Sequence, residues 1–391
     1  MKVAIIGAGV SGLVSAIIES KCNEVYIFEK NNTCCKKLLL TGSGKCNIGN
    51  EDNNICHYHS SNMDKLKSII NNKTINDARL FLESLGLVIK NKNGYLYPFS
   101  EKASSVKSLL ENICLNNKVN FLYNSNINTI KKINDKFVIN DMYFDKVIIT
   151  TGGKSYEKTG SDGSGYNLAK SFNHNIIDPY PSLVGFKTNT GYEKMLAGIR
   201  CSAVLSLYVD KKFIKQETGE LQFTKDGISG IAIFNLSRHI KKYLENKSRV
   251  EVGVNFIPWY TKDEVFNKNI SITCMCDGFL DYKLSNVLLD ILHIDKNISY
   301  NKLSDKDKNR FISLLSNYKI NIIDTNSFNE AQVTSGGVDL SKVNEKTLES
   351  QLVNGLFFAG EVLDLDGDCG GYNLTIAIIT GLIAGGFYDK N

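Results

Sequence analysis

The sequence predicts an α/β fold in which a two-part Rossmann-like domain carries an inserted β-barrel-like domain and a small helical subdomain. Three patterns indicate this fold: a strand–helix–strand unit at the start, a strand-rich middle, and a C-terminal strand and helix that complete the first unit. Its 391 residues are enough for two or three domains. The expected boundaries are 1–183 with 331–391 for the Rossmann-like domain, 184–260 with 319–330 for the barrel-like domain, and 261–318 for the helical subdomain.

The first thirty residues have the pattern of a strand, a glycine-rich turn, a helix and a second strand that ends at Glu29. In the G-x-G-x-x-G turn, Gly7 permits a tight bend, Gly9 leaves room for a pyrophosphate and Gly12 allows close helix–strand packing. The helix N-terminus offers N–H groups to phosphates, and Glu29 can accept hydrogen bonds from ribose. The pattern favours dinucleotide binding over a glycine turn in an ordinary α/β protein. The candidate contacts are Gly7, Ala8, Gly9, Val10, Ser11, Gly12, Glu29 and Lys30.

A loop of mostly small residues, 41–47, follows three consecutive leucines. Gly42 and Gly44 would let this loop press against a flat ligand, and Asn47 would supply polar contacts. Thr41 is a further candidate contact. The alternative is a loop that is merely tight. Cys46 is then either a wall residue or a proton donor, and a small buried hydrophobic residue is an equally good interpretation.

The next elements in order are helices over 65–85 and 103–115 and short strands over 119–123, 127–133, 136–139 and 142–144. The last strands resemble the β-meander that flavin-binding Rossmann domains insert. A buried strand, 146–149, then returns to the sheet and ends in a glycine turn near the expected dinucleotide. Its candidate contacts are Thr151, Gly152 and Gly153.

The middle of the chain predicts a barrel-like insertion followed by helices. Strands are expected over 184–187, 204–209, 212–215, 221–223 and 250–256, with a helix over 232–243. Further on, one helix is expected over 284–292. Ser304 can cap another that runs through 310–315.

The C-terminal part repeats the pattern of the first turn, a strand followed by glycines and the start of a helix. A strand over 356–359 is followed by Gly360 and Glu361, and a second glycine pair opens the last helix. This arrangement is typical of two-part FAD enzymes, in which the last helix faces the flavin ring. No second complete G-x-G-x-x-G is present, so a separate NAD(P) domain is not expected. The candidate contacts are Gly360, Glu361, Gly370, Gly371, Tyr372, Asn373 and Leu374.

Composition adds weaker constraints. The net charge of +5 comes from 41 Lys and 5 Arg against 41 acidic residues, and it favours a nucleic-acid partner only slightly. Ten cysteines without a secretory signal indicate a reducing cytoplasm, and without C-x-x-C spacing neither a metal site nor a redox pair is predicted. The apolar run 374–388 is shorter than the ~20 residues that span a bilayer, so a buried helix is expected.

The chain resembles the Rossmann flavoprotein family whose members are often labelled "aminoacetone oxidase family FAD-binding enzyme". That family includes bile-acid dehydro-steroid reductases and flavin-dependent 23S ribosomal RNA dihydrouridine synthases. The resemblance covers nearly the whole chain. It rests on blocks at 7–12, 37–50, 97–98, 151–161, 181–184, 227–230, 332–338 and 358–373. Three residues depart from the family pattern: Ser43 replaces a common glycine, Lys45 a common arginine and Ile231 a usual proline. Lysine lacks the bidentate fork of arginine, so an anion contact at Lys45 is less well supported.

The resemblance implies FAD as cofactor and NAD(P)H as a transient reductant. Carried over by motif, the residues that would contact FAD are Gly7, Gly9, Gly12, Glu29, Lys37, Gly360, Glu361, Gly371, Asn373 and Leu374.

The leading functional expectation, also implied by the resemblance, is reduction of a uridine in 23S rRNA to dihydrouridine. Cys46 is the candidate proton donor. The first alternative is a small-molecule ene reductase that acts on a steroid or another enone. A disulfide reductase and a non-enzymatic RNA-binding flavoprotein are the remaining alternatives.

Overall fold

The computed structural model describes residues 1–72, 75–259, 266 and 269–387. The chain forms two compact units, Met1–Pro181 with Ala331–Asn391 and Ser182–Glu330. The separate helical subdomain expected over 261–318 stays a prediction, and residues 260–265 and 267–268 of this region lie outside the described part.

The first unit is built on a five-stranded parallel sheet with a buried core on both faces. Parallel strands buried on both faces read as continuous apolar runs, as in Val3–Ile6 and Val147–Ile149. In spatial order the strands are Leu356–Phe358, Lys146–Ile149, Lys2–Ile6, Glu24–Phe28 and Asn120–Leu122.

Two helices lie in close contact against this sheet, Val10–Glu19 and Tyr372–Ala384. Gly381 permits the contact, because a Cβ there would lie 2.8 Å from the Ser11 carbonyl oxygen. The Ser15 hydroxyl donates to the Gly381 carbonyl at 2.9 Å. The first and last segments of the chain are therefore fixed to each other. The other α-helices of the unit are Met63–Asn72, Ile75–Ser84, Ala103–Asn116 and Ser164–Ser171.

Smaller sheets complete the first unit. The predicted meander is present as Lys131–Ile133, Lys136–Ile139 and Met142–Phe144. A second three-stranded sheet contains Gly49–Asn50, Tyr95–Pro98 and Ile89–Lys92. Two strand pairs join Ile176–Ser182 to Val333–Val338 and Tyr58–His59 to Asp366–Gly367. The 3-10 segments of this unit are Leu38–Gly44, which is kinked at Thr41–Ser43, and the single turns Ile55–His57, Glu157–Thr159 and Leu340–Lys342.

The second unit is a closed six-stranded barrel with helices. In spatial order its strands are Phe186–Thr188, Gly227–Ser229, Lys212–Thr224, Arg200–Val209, Val250–Asn255 and Tyr318–Thr325. Its α-helices are Glu193–Leu196, Ile231–Ser237, Lys241–Glu245, Ile272–Asp277, Tyr282–Leu292 and Asp305–Ser316. A further 3-10 segment is Tyr300–Lys302.

The structure confirms the predicted fold class and corrects two of the predicted elements. The two strands predicted over 212–215 and 221–223 form one long strand, because the whole segment pairs with Arg200–Val209. The single helix predicted over 232–243 is two helices, Ile231–Ser237 and Lys241–Glu245. The helix predicted over 65–85 is described as Met63–Asn72 and Ile75–Ser84, and positions 73–74 lie outside the described residues. The Ser304 side chain caps Asp305–Ser316 as predicted.

Within the described ranges, every helix is too short or too polar to span a bilayer. The same residues include no group of three or more His, Cys, Asp or Glu side chains arranged to bind a metal ion.

Candidate functional site: a cavity at the carboxyl edge of the parallel sheet

A cavity opens at the carboxyl edge of the parallel sheet in the first unit. Gly7, Glu29 and Thr150 each directly follow the last residue of a strand, and all three line the cavity. Ligands of open α/β sheets bind at this edge. The structure brings together most of the residues that the sequence predicted as cofactor contacts. Those that line the cavity are Gly7, Ala8, Gly9, Val10, Ser11, Glu29, Lys30, Lys37, Thr41, Thr151, Gly152, Glu361, Asn373 and Leu374.

The glycine turn has the steric form that its spacing predicts. Gly7 has φ +105°, and a Cβ there would lie 2.7 Å from the Thr150 carbonyl oxygen. A Cβ on Gly12 would lie 2.1 Å from the Gly7 carbonyl oxygen. At Gly9 the nearest atom would be the Thr150 oxygen at 3.9 Å, so the space in front of Gly9 is open. Gly9 caps the helix without a side-chain hydrogen bond, which leaves the first N–H groups available to an anion.

Glu29 is buried beside this turn. Its Oε2 accepts a hydrogen bond from the Ala8 N–H at 2.8 Å. Its Oε1 accepts from the backbone N–H and the side-chain amide of Asn31, at 2.8 and 2.7 Å. These three donors leave about one of the four acceptor positions of the carboxylate for a ribose hydroxyl.

An ion pair joins two predicted residues on another part of the wall. The Lys37 Nζ lies 2.9 and 2.7 Å from the two carboxylate oxygens of Glu361. Glu361 also accepts a hydrogen bond from the Thr334 N–H at 2.9 Å. Asn373 is oriented by Gly367, whose N–H and carbonyl both pair with the Asn373 side-chain amide at 2.8 Å.

Eight predicted contacts do not line the cavity, and at least three of them are glycines at close approaches between segments. A Cβ would lie 2.5 Å from the Thr334 hydroxyl at Gly153, 2.5 Å from the Ser11 hydroxyl at Gly360 and 2.6 Å from the Gly49 Cα at Gly371. These glycines allow neighbouring segments to pack closely. The eight residues are Gly12, Gly42, Asn47, Gly153, Gly360, Gly370, Gly371 and Tyr372.

Several lining residues were not predicted as contacts. Ser161 and Gln332 fall within sequence blocks that resemble the family, so a signal for them was present. Asn31 and Ser125–Ile127 lie in no such block. They follow the strands Glu24–Phe28 and Asn120–Leu122, and only the tertiary fold shows that these strand ends lie beside the cavity.

Comparison with known proteins identifies the family to which this site belongs. Residues 1–387 match the HI0933-like protein Rossmann domain. The chain belongs to this family. It is 36% identical over 400 residues to the 3-dehydro-bile acid delta(4,6)-reductase of Clostridium scindens, and the alignment covers 98% of both chains. It is 30% identical over 387 residues to the ribosomal RNA dihydrouridine synthase of Haemophilus influenzae, and the alignment covers 94% of both chains.

The fold also resembles that of a solved dehydrogenase. The 3-ketosteroid delta1-dehydrogenase from Sterolibacterium denitrificans aligns with a TM-score of 0.50 over 98% of both chains, at 11% sequence identity. At this identity the likeness concerns the fold alone. The predicted family is confirmed, and this HI0933-like protein is an oxidoreductase with a Rossmann-type FAD-binding domain.

Two buried hydroxyl groups on the cavity wall fit a bound FAD. Thr151 Oγ1 and Ser161 Oγ have no hydrogen-bond partner within the part of the chain that the structure describes. An unpaired buried hydroxyl costs about 1–3 kcal/mol, and a polar ligand removes that cost. Together with the open space before Gly9 and the carboxylate of Glu29, these atoms suit a dinucleotide with a ribose and a pyrophosphate.

Cys46 is not on the cavity wall in this structure. Its side chain is fully buried, and its backbone has φ +62°. Burial raises the pKa of its thiol to about 12, against the opposing effect of a hydrogen bond with Thr41. The thiol therefore keeps its proton at neutral pH. The predicted role of Cys46 as a proton donor stays a prediction.

Proposed function

We propose that this protein reduces a carbon–carbon double bond conjugated to a ketone in a steroid-like small molecule, with NAD(P)H as the source of electrons. The observation that carries the proposal is the 36% identity to a bile acid reductase over nearly the full length of both chains. The rRNA-modifying relative is less similar, at 30%. Small-molecule ene reduction, the first alternative predicted from the sequence, therefore replaces rRNA reduction as the leading function.

The residues of the cavity would bind and orient the cofactor. The turn that contains Gly9 would hold the pyrophosphate through backbone N–H groups, and Glu29 would accept hydrogen bonds from a ribose. The hydroxyl groups of Thr151 and Ser161 would donate hydrogen bonds to polar oxygens of the ligand. Bound FAD would supply hydride-transfer chemistry, and the protein must then provide a proton donor for the substrate.

The experiment that tests this function is anaerobic turnover by the purified holoenzyme. The protein is mixed with NADH or NADPH and a steroid that carries an enone in its first ring. The proposal expects oxidation of the nucleotide to be matched by a steroid product that has gained two hydrogen atoms. The proposal would be contradicted if the rate of NADH or NADPH oxidation were the same with and without an enone.

Reduction of uridine in 23S rRNA is the second candidate, and the similarity to an rRNA dihydrouridine synthase favours it. Nucleoside mass spectrometry of 23S rRNA from cells with and without the gene tests it. Loss of one dihydrouridine that returns with the gene would move the assignment to RNA. Affinity for that RNA should fall steeply with salt.

The proposed proton donor has a matched control in the chain. Cys114 is also fully buried, and burial likewise raises the pKa of its thiol to about 12. Its Sγ lies near the Leu13 carbonyl oxygen, and Cys114 is not on the cavity wall. If Cys46 donates the proton, Cys46→Ala should lower the turnover number by about 10²-fold or more while Cys114→Ala retains it. Equal turnover in both variants would assign Cys46 to packing alone.

A further inference from the structure

A β-hairpin beside the cavity carries a row of aromatic and basic side chains on one face. Strands Ile89–Lys92 and Tyr95–Pro98 pair antiparallel, with Lys90 opposite Tyr97 and Lys92 opposite Tyr95. The Phe99 N–H donates to the Val88 carbonyl at 2.8 Å, which extends the pairing by one step. Side chains alternate along a strand, so residues opposite each other share a face. The residues of this hairpin face are Val88, Lys90, Lys92, Tyr95, Tyr97 and Phe99.

The two faces of the hairpin differ in burial. On the opposite face, Leu96 and Pro98 are buried. On the hairpin face, Val88 is 65% exposed and Phe99 is 68% exposed. Val88 and Phe99 are two adjacent exposed apolar side chains beside partly buried tyrosines, and a flat apolar ligand can pack on such a surface.

Three lysines surround a single carboxylate at this face. The Glu101 carboxylate lies 2.7 Å from the Nζ of Lys90, 3.9 Å from that of Lys45 and 4.0 Å from that of Lys92. The Lys90 Nζ also lies 5.4 Å from the centre of the Phe99 ring. These four charged side chains sum to two positive charges, because three cations share one anion. The cluster can therefore accept a further negative charge.

The hairpin face begins at segments that also form the cavity wall. A Cβ on Gly42 would lie 3.8 Å from Tyr97 Cε1, and Gly42 directly follows the wall residue Thr41. A Cβ on Gly370 would lie 3.5 Å from Tyr95 Cε1, three residues before the wall residue Asn373. Tyr95 and Tyr97 therefore lie near two loops that also contribute residues to the cavity wall, and Lys92 and Lys90 stand opposite them on the hairpin face.

We propose that this hairpin face binds the part of the substrate that lies away from the reacting double bond, and that this part ends in a carboxylate. The substrate is then an apolar polycyclic acid rather than a neutral steroid. Its rings pack against Tyr97 and Phe99, and its carboxylate takes a place beside Lys45, Lys90 and Lys92. This inference rests on the proposed function, whose C. scindens relative is named for a bile acid.

Aromatic and basic residues together can also bind RNA, but the small charge and the small apolar area of the hairpin face favour a ligand with a single carboxylate. The net positive charge is two, and the exposed apolar surface is one adjacent pair, Val88 and Phe99. Proteins that bind structured RNA use phosphate contacts spread over a wider surface. RNA binding is therefore an outcome that the test must distinguish.

The test compares two substrates and two variants. The substrates are a bile acid that carries an enone in its first ring and the methyl ester of the same acid. The first variant replaces the cluster, as Lys45→Gln, Lys90→Gln and Lys92→Gln together. The control variant replaces three other exposed lysines of the same unit, as Lys21→Gln, Lys118→Gln and Lys131→Gln together. The ratio of flavin to protein confirms that each variant folds.

The cluster variant should raise KM for the acid by about tenfold and leave KM for the ester unchanged. The turnover number should stay the same for both substrates, because the carboxylate is remote from the reacting atoms and contributes equally before and during reaction. The control variant should behave as the native protein does. Equal KM changes for acid and ester, or no change for either, would overturn the proposal.

Binding measurements separate this inference from the proposed function. If no enone is reduced, calorimetric titration of the acid and the ester into the holoenzyme still measures the anion site. Selective loss of acid binding in the cluster variant would then support the site without the reaction. Unchanged acid binding, or loss of affinity for a 23S rRNA fragment alone, would overturn it.

Discussion

The glycine turn Gly7–Gly12 and the hairpin face lie in the same unit, but they specify binding in different ways. At the turn, backbone atoms fill the space, and a Cβ on Gly12 would lie 2.1 Å from a carbonyl oxygen. At the hairpin, side chains such as Phe99 and Lys92 project to solvent and can be replaced without moving the backbone. We interpret the first as the part that fixes the cofactor and the second as the part that selects the substrate. This division is consistent with one family whose members are named for a steroid and for an RNA.

The largest expected effect comes from placing a charge in the backbone-lined part. Gly9→Asp should abolish FAD binding, because its carboxylate would occupy the space of the pyrophosphate and repel it. Gly9 has φ −73°, and its Cβ position is open, so the fold should tolerate the change. Flavin absorbance of the purified variant measures the result.

Gly9→Ala is the matched control, since it adds the Cβ without the charge. It should keep a larger share of the flavin than Gly9→Asp at equal thermal stability. A full flavin complement in Gly9→Asp would contradict the placement of the pyrophosphate.

The second effect is on stability, at a buried ion pair that includes Lys146, the first residue of the strand Lys146–Ile149. The Lys146 Nζ lies 2.6 Å from Glu19 Oε1 and donates to the Ala384 carbonyl at 2.7 Å. It also lies 3.8 Å from the centre of the Phe357 ring. Lys146→Met leaves the Glu19 charge buried, so the free energy of unfolding should fall by about 3–5 kcal/mol.

Chemical denaturation measures this loss. Lys146→Met with Glu19→Gln should recover part of it, because the double variant leaves no unpaired charge. The folded fraction of each variant should bind flavin as the native protein does. Loss of flavin without loss of stability would show that the pair acts on the site itself.

The sequence predicted the backbone-lined part of the site far better than the side-chain part. The spacing of Gly7, Gly9 and Gly12 reflects steric demands that hold wherever such a turn occurs, so their roles could be recognised without a structure. The contact between Glu101 and the three lysines joins residues 45, 90, 92 and 101, which only the tertiary fold brings together. For the same reason the sequence left two interpretations of Cys46 open, a proton donor and a buried hydrophobic residue, because nothing in a loop of small residues shows which side faces the core.

The smallest predicted effect concerns the start of the last helix. His57 stacks on Tyr372 with ring centres 4.6 Å apart, and its two nitrogens lie 3.0 Å from the carboxylates of Asp368 and Asp52. Burial lowers the pKa of His57, but these two carboxylates outweigh it, and the net pKa is raised. A histidine whose pKa is raised on folding stabilises the protein below its unfolded pKa of about 6.5 and loses that effect as pH rises through the folded pKa.

The stability difference between the native protein and His57→Gln should therefore be larger at about pH 6 than at about pH 8. We expect a change below about 1 kcal/mol, because His57 is partly exposed. Thermal unfolding at both pH values measures it. A difference that grows with pH would contradict the assignment of a charged His57.

The most direct test of the proposed substrate is anaerobic reoxidation of the reduced holoenzyme by an enone bile acid. If the protein is a small-molecule ene reductase, flavin absorbance returns when the acid is added, and the product gains two hydrogen atoms. Uridine-containing 23S rRNA should leave the flavin reduced. Reoxidation by the RNA and not by the acid would contradict the small-molecule assignment and establish RNA as the substrate.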